Sequence, residues 1–146
     1  MTSKHLAKLV GQAALSKKGY DVTILDLRKL TTMTDYFVIC SVDSDTQARA
    51  VADAIKHEAL EQGESTVRKE GYGEGRWVLL DFIDVVVHVF HKETRDFYNL
   101  EKLWGDAKFE HVHDEPPVIE TPARTRKKTD SAKPTKKKSA PKKRLK

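Results

Sequence analysis

Two pairs of side chains in the stretch 76–91, RWVLLDFIDVVVHVFH, could take part in acid–base or metal chemistry. Asp81 and Asp84 offer two carboxylates, and His88 and His91 offer two imidazoles. Residues three apart in a continuous strand point to opposite faces of the sheet, so neither pair could share an ion or a substrate. If the chain instead turns tightly between the carboxylates, Asp81 becomes a strand end and Asp84 a turn residue. We therefore predict neither a catalytic carboxylate pair nor a metal-binding histidine pair here.

Other groups that could be reactive have structural explanations. GYGEG at 71–75 has the glycines of a phosphate loop, but such a loop leads into a helix, whereas a strand follows here. We expect a flexible inter-strand loop. Cys40 lies within an apolar strand, where a buried structural thiol is expected. His111 and His113 lie in an acidic exit segment and would form at most a weak adventitious metal site. The sequence thus predicts no catalytic residue, no metal and no cofactor.

Hydrophobic periodicity predicts a single α/β domain, in which helices flank a mixed sheet of about five strands. The stretch 76–91 supplies two buried strands, because valine dominates its second half. In chain order, the pattern first predicts a helix with Ser3 available as its cap, a strand at 22–27 and an interior strand at 35–42. A second helix follows, which begins with a Ser44–Gln47 capping box. After it come a polar edge strand at 66–70, the two valine-rich strands, and one or two short terminal helices.

The charge of the chain is distributed unevenly. The whole sequence carries 27 basic and 22 acidic side chains, a net charge of +5. Residues 121–146 contain 12 Lys and Arg and one acid, Asp130, so residues 1–120 hold the remaining 15 basic and 21 acidic side chains. We divide the chain into an α/β domain at 1–108, an acidic, proline-containing linker at 109–120 and a lysine-rich tail. The tail has almost nothing to bury, so we expect it to be disordered.

Cysteine content and hydropathy indicate the compartment. Cys40 is the only cysteine, which fits a reducing environment. The first residues, MTSKHLAKLV, lack the apolar stretch of a signal peptide, and no run approaches the roughly 20 apolar residues of a membrane span. We therefore expect a cytoplasmic protein with no membrane partner.

The tail has the composition of a segment that binds polyanions. It has no apolar face for insertion into a membrane. Clustered cations bind nucleic-acid backbones by releasing counterions, without sequence preference. The side chains that we expect to contact RNA are Arg124, Arg126, Lys127, Lys128, Lys136, Lys137, Lys138, Lys142, Lys143 and Arg144.

Four separated motifs closely resemble those of the Iojap family of ribosomal silencing factors. They are TDYFVI at 34–39, GYGEG at 71–75, the stretch 76–91 and YNLEKLW at 98–104, and the resemblance extends from about His5 to Asp106. Members of that family look like small α/β domains with a nucleotidyltransferase-like sheet that lacks the catalytic residues. The resemblance implies a non-enzymatic repressor of translation that docks on the large ribosomal subunit, at the basic ribosomal protein number fourteen, and keeps the small subunit away. It also implies a homodimer when the protein is free.

The resemblance further implies which residues meet the partner: Asp35, Tyr36, Trp77, Asp81, Asp84, Tyr98 and Glu101. We expect Trp77, Asp81 and Asp84 to lie near one another at one end of the sheet, with Tyr98 close by. Tryptophan and tyrosine carry much of the binding energy of protein interfaces, so Trp77 is the best anchor. Ile83 occupies a turn position at which glycine is common in the family.

Two other classes of function are open to this sequence. A divergent nucleotidyltransferase would use Asp81 or Asp84 with Mg²⁺ and a nucleotide. A general RNA-binding protein would act through the basic tail alone. Beside a ribosome-docking domain, ribosomal RNA would be the tail's natural partner.

Overall fold

The computed structural model describes residues 1–113 of the chain. The predicted tail at 121–146, and most of the predicted linker, lie outside the described residues. In chain order the elements are α1 (Ser3–Ser16), β1 (Tyr20–Asp26), β2 (Tyr36–Val42), α2 (Asp45–Glu61), β3 (Arg68–Glu70), β4 (Trp77–Asp81), β5 (Val85–His91), α3 (Lys92–Tyr98), α4 (Leu100–Leu103) and β6 (Lys108–His111). No helix within this described part has both the length and the apolar character that crossing a membrane requires.

The strands form one mixed sheet in the order β3-β4-β5-β2-β1-β6. β2 and β5 run parallel at its centre, from Tyr36 opposite Val85 to Val42 opposite His91. The other neighbouring strands are antiparallel. A parallel pair needs a long crossover, which α2 and the β3–β4 hairpin provide. The predicted mixed α/β fold is therefore confirmed, and β2 is an interior strand, as its two apolar faces indicated.

β6 is a strand that the sequence pattern did not predict. It pairs antiparallel with β1, with Lys108 opposite Asp26. Its sequence, KFEH, has one apolar residue, Phe109, and all of its side chains are exposed, so it carries no period-two signal. The sheet consequently has six strands rather than about five. It also extends through His111, into the segment 109–120 that we assigned to the linker.

Side-chain caps begin both long helices. The cap of α1 is the hydroxyl of Thr2, one residue before the predicted Ser3. Ser44 caps α2 by accepting the backbone N–H of Gln47 at 3.0 Å, as predicted. The Gln47 amide oxygen, however, accepts the N–H of Asp43 at 2.8 Å, one residue before the position that a capping box uses.

The two faces of the sheet are covered to different extents. α1 and α2 pack on one face and form the main core. The short helices α3 and α4 cover the opposite face only in part, and its fully buried residues are Leu25, Leu27, Ile39 and Phe90. Three large apolar side chains of these helices remain exposed to solvent, Phe97 at 80%, Leu103 at 73% and Tyr98 at 51%. We call this side, which presents Trp77, Phe97, Tyr98 and Leu103, the open face.

Candidate docking surface

Trp77 lies at the centre of an aromatic group on the open face. It is the first residue of β4 and stands opposite Phe90 of β5. Its ring centroid lies 4.8 Å from that of Phe90 and 4.7 Å from that of Tyr98 in α3. Phe97 packs edge-on against Tyr98 at 5.1 Å. Trp77 is therefore partly buried between aromatic rings, and the exposed rings of Phe97 and Tyr98 extend the group into solvent.

A buried histidine contacts the polar edge of Trp77. The indole N–H of Trp77 donates a hydrogen bond to Nδ1 of His88, which is 4% exposed, at 3.0 Å. Burial lowers the pKa of His88 to about 4. The imidazole is therefore neutral at physiological pH. Because an indole can only donate, Nδ1 must carry the lone pair that accepts.

A cleft of about 470 Å³ lies beside this aromatic group. Trp77 and Tyr98 line it together with two carboxylates, Glu74 of the glycine loop and Glu93 of α3, and with Arg76. Aromatic faces attract cations, and carboxylates pair with them. This combination suits the basic side chains of a protein partner.

The glycine loop next to Trp77 is held against α2. The Tyr72 hydroxyl donates to the Asp53 carboxylate at 2.9 Å, and the Arg49 guanidinium donates to the Gly73 carbonyl at 3.1 Å. A Cβ atom at Gly75, where φ is +75°, would lie 2.6 Å from a side-chain atom of α2. Gly75 thus allows the loop to approach α2 closely. Tyr72 is engaged within the domain and packs against the main core.

Arg95 anchors α3 and α4 to the sheet. It is 8% exposed, and its guanidinium donates to the Glu101 carboxylate at 2.6 and 2.9 Å. It also donates to the Asp21 carbonyl at 2.7 Å and to the Ser41 hydroxyl at 2.9 Å. Glu101, which the resemblance placed among the partner-binding residues, therefore has its carboxylate committed inside the domain.

Asp81 and Asp84 flank the tight turn between β4 and β5. The Asp84 N–H donates to the Phe82 carbonyl at 3.0 Å, and Ile83 between them has a φ of +77°, which defines a γ-turn. The Asp81 carboxylate accepts the N–H of Ile83 at 2.7 Å. The hairpin alternative is thus the correct one, and Asp81 stabilises the turn.

Asp35 and Tyr36 join the start of β2 to this turn. Their backbone N–H groups donate to the Asp84 carbonyl at 2.9 and 3.1 Å. Tyr36 is only 3% exposed, and the guanidinium of Arg28 lies 5.3 Å from its ring centroid. The burial of Tyr36 leaves almost none of its surface for a partner. Asp35 remains partly exposed and accepts a hydrogen bond from Ser3 at 2.9 Å.

The predicted partner-binding residues consequently occupy two ends of the sheet. Trp77 and Tyr98 lie at the end where β4 begins, whereas Asp81 and Asp84 lie at the hairpin where β4 ends. Four steps along an extended strand separate Trp77 from Asp81 by about 13 Å. The expected single cluster of Trp77, Asp81 and Asp84 is therefore wrong. Tyr98 does lie close to Trp77, as expected.

Within the described part of the chain, the side chains that could bind a metal do not gather into a site. Residues 1–113 contain no group of three or more His, Cys, Asp and Glu side chains that could hold a metal ion. Nδ1 of His111 lies 3.3 Å from the Thr23 hydroxyl, across the β1–β6 pair. Cys40 is fully buried, and burial raises the pKa of its thiol to about 12, so it is a poor nucleophile.

Comparison with known proteins identifies the family. The family model described as "Ribosomal silencing factor during starvation" matches residues 1–144. The chain belongs to this family of ribosomal silencing factors. The resemblance drawn from the four motifs is thereby confirmed.

Known relatives resemble this chain over most of its folded domain. Ribosomal silencing factor RsfS of Bacillus subtilis is 48% identical over 107 residues, which make up 73% of this chain and 91% of the relative. Protein Iojap, chloroplastic, of Zea mays is 38% identical over 101 residues, which make up 67% of this chain and 42% of the relative.

Solved structures share the fold of this chain. A crystal structure of a protein from Chromobacterium violaceum matches with a TM-score of 0.70 and 34% identity, covering 83% of this chain and 94% of that one. A second, from Bacillus halodurans, matches with a TM-score of 0.63 and 46% identity, covering 69% of this chain and 94% of that one.

The contacts of two residues that shape the open face, His88 and Arg95, were not predicted from the sequence. The signal for His88 was a single imidazole within a run of valines, which indicates burial but names no partner. Arg95 lies between Thr94 and Asp96, and nothing in that setting distinguishes a buried cation from an exposed one. Its partners come from residues far away in sequence, such as Asp21 and Ser41.

Proposed function

We propose that this silencing factor binds the large ribosomal subunit through its open face, at ribosomal protein number fourteen, and so prevents the small subunit from joining. Translation would be repressed without any chemical step, because a bound body that occupies the joining surface is sufficient. The observation that carries this proposal is the exposed aromatic group of Trp77, Phe97 and Tyr98, in a protein of this family.

The aromatic group has the properties of an interface anchor. Tryptophan and tyrosine dominate interface hot spots, because they bury a large area at a small cost in conformational entropy. Here Trp77 already contacts the rings of Phe90 and Tyr98, so little conformational entropy is lost when binding fixes its orientation. Leu103, 73% exposed, adds apolar surface on the same face.

The charge of the domain supports a basic partner. Residues 1–120 carry six more acidic than basic side chains, and Glu74 and Glu93 line the cleft beside Trp77. Complementary charges accelerate association and help to fix the orientation of the partners. Asp84 lies at the opposite end of the sheet and would act at most as a rim charge in this interface.

The same face supports a homodimer of the free protein. Exposed Phe97 and Leu103 would be buried against a second copy, and ribosome binding would then compete with dimerisation. A monomeric mass from light scattering across micromolar concentrations would contradict the dimer.

Sedimentation of purified ribosomal subunits tests the proposed function. The protein at saturating concentration should leave free subunits where 70S particles form in its absence, and it should migrate with the large subunit. Trp77→Ala should lose about 2 kcal/mol or more of binding free energy. The matched control is Leu60→Ala, which removes a 58% exposed apolar side chain from α2 on the other layer and should bind normally.

Three results would contradict the proposed function or favour one of its two rivals. Normal subunit joining at saturating protein would contradict the steric block. Stoichiometric binding of Mg²⁺ and a nucleotide that is lost in Asp81→Asn would favour an enzyme. Binding that survives Trp77→Ala but disappears when residues 121–146 are deleted would favour a general RNA-binding protein.

A further inference from the structure

A hydrogen bond joins His88 to Trp77 within the open face. The two residues lie on neighbouring antiparallel strands, where Trp77 stands opposite Phe90 and His88 stands opposite Leu79. They therefore form a diagonal pair on one face of the sheet. His88 comes from the middle of β5, and Trp77 lies at the edge of the glycine loop.

An imidazole is costly at the position of His88. The ring is 4% exposed and lies in a strand whose other core residues are apolar. Nε2 has no hydrogen-bond partner within the described residues, so the only polar contact of the ring is the 3.0 Å bond from the Trp77 indole. A buried polar group with half of its capacity unused destabilises a fold relative to an apolar side chain of the same size. Packing alone therefore does not explain the imidazole.

The hydrogen bond supplies a constraint that the aromatic contacts lack. The rings of Phe90 and Tyr98 lie 4.8 and 4.7 Å from Trp77 and restrict the plane of the indole. These ring contacts, tilted by 33° and 48°, do not fix which edge of the indole points inward, whereas the hydrogen bond to Nδ1 does. Phe37, edge-on to His88 at 4.5 Å, holds the imidazole in turn.

We propose that His88 is a positioning residue for docking, since its Nδ1 holds Trp77 in the one orientation that the large ribosomal subunit recognises. This role rests on the proposed function. The bond preorganises the anchor, so binding does not have to select one indole orientation from several.

Side chains of similar size separate this role from simple packing. In His88→Asn the amide oxygen takes the place of Nδ1, and in His88→Gln it takes the place of Nε2. His88→Leu fills the space without an acceptor. We expect large-subunit affinity to fall about tenfold in His88→Leu and His88→Gln, and to recover most of this loss in His88→Asn.

The indole N–H resonance provides a readout that is independent of binding. The chain has two tryptophans, so the spectrum of the ¹⁵N-labelled protein has two indole signals, and Trp77→Phe identifies the one from Trp77. In the wild type this signal should be shifted downfield and exchange slowly with solvent. Both properties should be lost in His88→Leu and kept in His88→Asn.

The affinities of the wild type and the variants distinguish a failure of the His88 role from a failure of the proposed function. Equal affinities for the Asn, Gln and Leu variants, with wild-type binding intact, would overturn the role of His88 and leave the proposed function standing. Failure of the wild type to bind large subunits would overturn the proposed function and this role together. If His88→Leu does not fold, the other two variants still test the role of His88. This role requires that His88→Asn binds large subunits more tightly than His88→Gln does.

Discussion

Arg95 and Glu101 form a partly buried ion pair, with 2.6 Å between Nη2 and the carboxylate oxygen, that ties α3 to α4. The side chains of the two residues are 9% and 24% exposed. The same guanidinium reaches Ser41 of β2, so a single cation joins both short helices to the middle of the sheet. The aromatic side chains of the open face depend on this attachment, because α3 and α4 are too short to be stable alone.

Glu101→Gln should therefore destabilise the protein. The buried Arg95 would lose its counter-charge, and breaking a buried pair from one side is costly. Because Glu101 is partly exposed, we expect a loss of about 2 kcal/mol in the free energy of unfolding, measured by urea denaturation. Asp96→Asn, an exposed change in α3 next to Arg95, should lie within about 0.5 kcal/mol of the wild type. Equal effects of the two variants would show that the ion pair is not important for stability.

Ile83→Gly should stabilise the protein. Ile83 has a φ of +77° in the γ-turn and is 58% exposed, so the substitution relieves strain and removes little buried surface. After allowing for the greater flexibility of glycine in the unfolded chain, we expect a gain of up to about 1 kcal/mol. Ile83→Ala keeps the strain and serves as the control. A glycine variant less stable than the alanine variant would contradict a strained turn.

Acidification should destabilise the folded protein through His88. Its pKa is lowered from 6.5 to about 4 by burial, so the unfolded chain takes up a proton at a higher pH than the folded one. The contribution of the neutral His88 to the free energy of unfolding is complete above pH 6.5. It is lost as the pH falls from 6.5 towards 4. At 1.36 kcal/mol per pKa unit it reaches about 3 kcal/mol. His88→Asn cannot titrate, so its free energy of unfolding should fall less between pH 7 and 4.5. Parallel curves would contradict this assignment.

Deletion of residues 121–146 should weaken binding most at low salt. Each phosphate neutralised on single-stranded RNA adds roughly 0.7 to the slope of log affinity against log salt concentration. We expect a flatter slope for the truncated protein and intact subunit blocking at high protein concentration. A full-length tail with its lysines and arginines changed to glutamine controls for length. Equal slopes for the wild-type and glutamine tails would mean that the tail only solubilises the protein.

Five of the six strands and both long helices could be predicted from local patterns, whereas the arrangement of the open face could not. Trp77 is predicted to be an anchor because a tryptophan beside Arg76 at the edge of an apolar run is a local signal. The distance between Trp77 and Asp81 depends on where the hairpin turns. The turn residue, Ile83, is β-branched and has a positive φ, which turn preferences do not predict. β6 was missed because its strand pairing is specified by β1, not by its own polar residues.

The parallel pairing at the middle of the sheet determines how the domain can be assembled. Tyr36 of β2 lies beside Val85 of β5, so the contact that unites the core joins residues roughly fifty positions apart in the chain. During synthesis, α1, β1 and β2 leave the ribosome with one edge of β2 unpaired, and that edge stays open until β5 has emerged. An incomplete chain that ends before residue 85 would present two apolar faces and a bare strand edge to its neighbours, which are the conditions for aggregation. The core of the domain can thus form only after β5, Val85–His91, has left the ribosome.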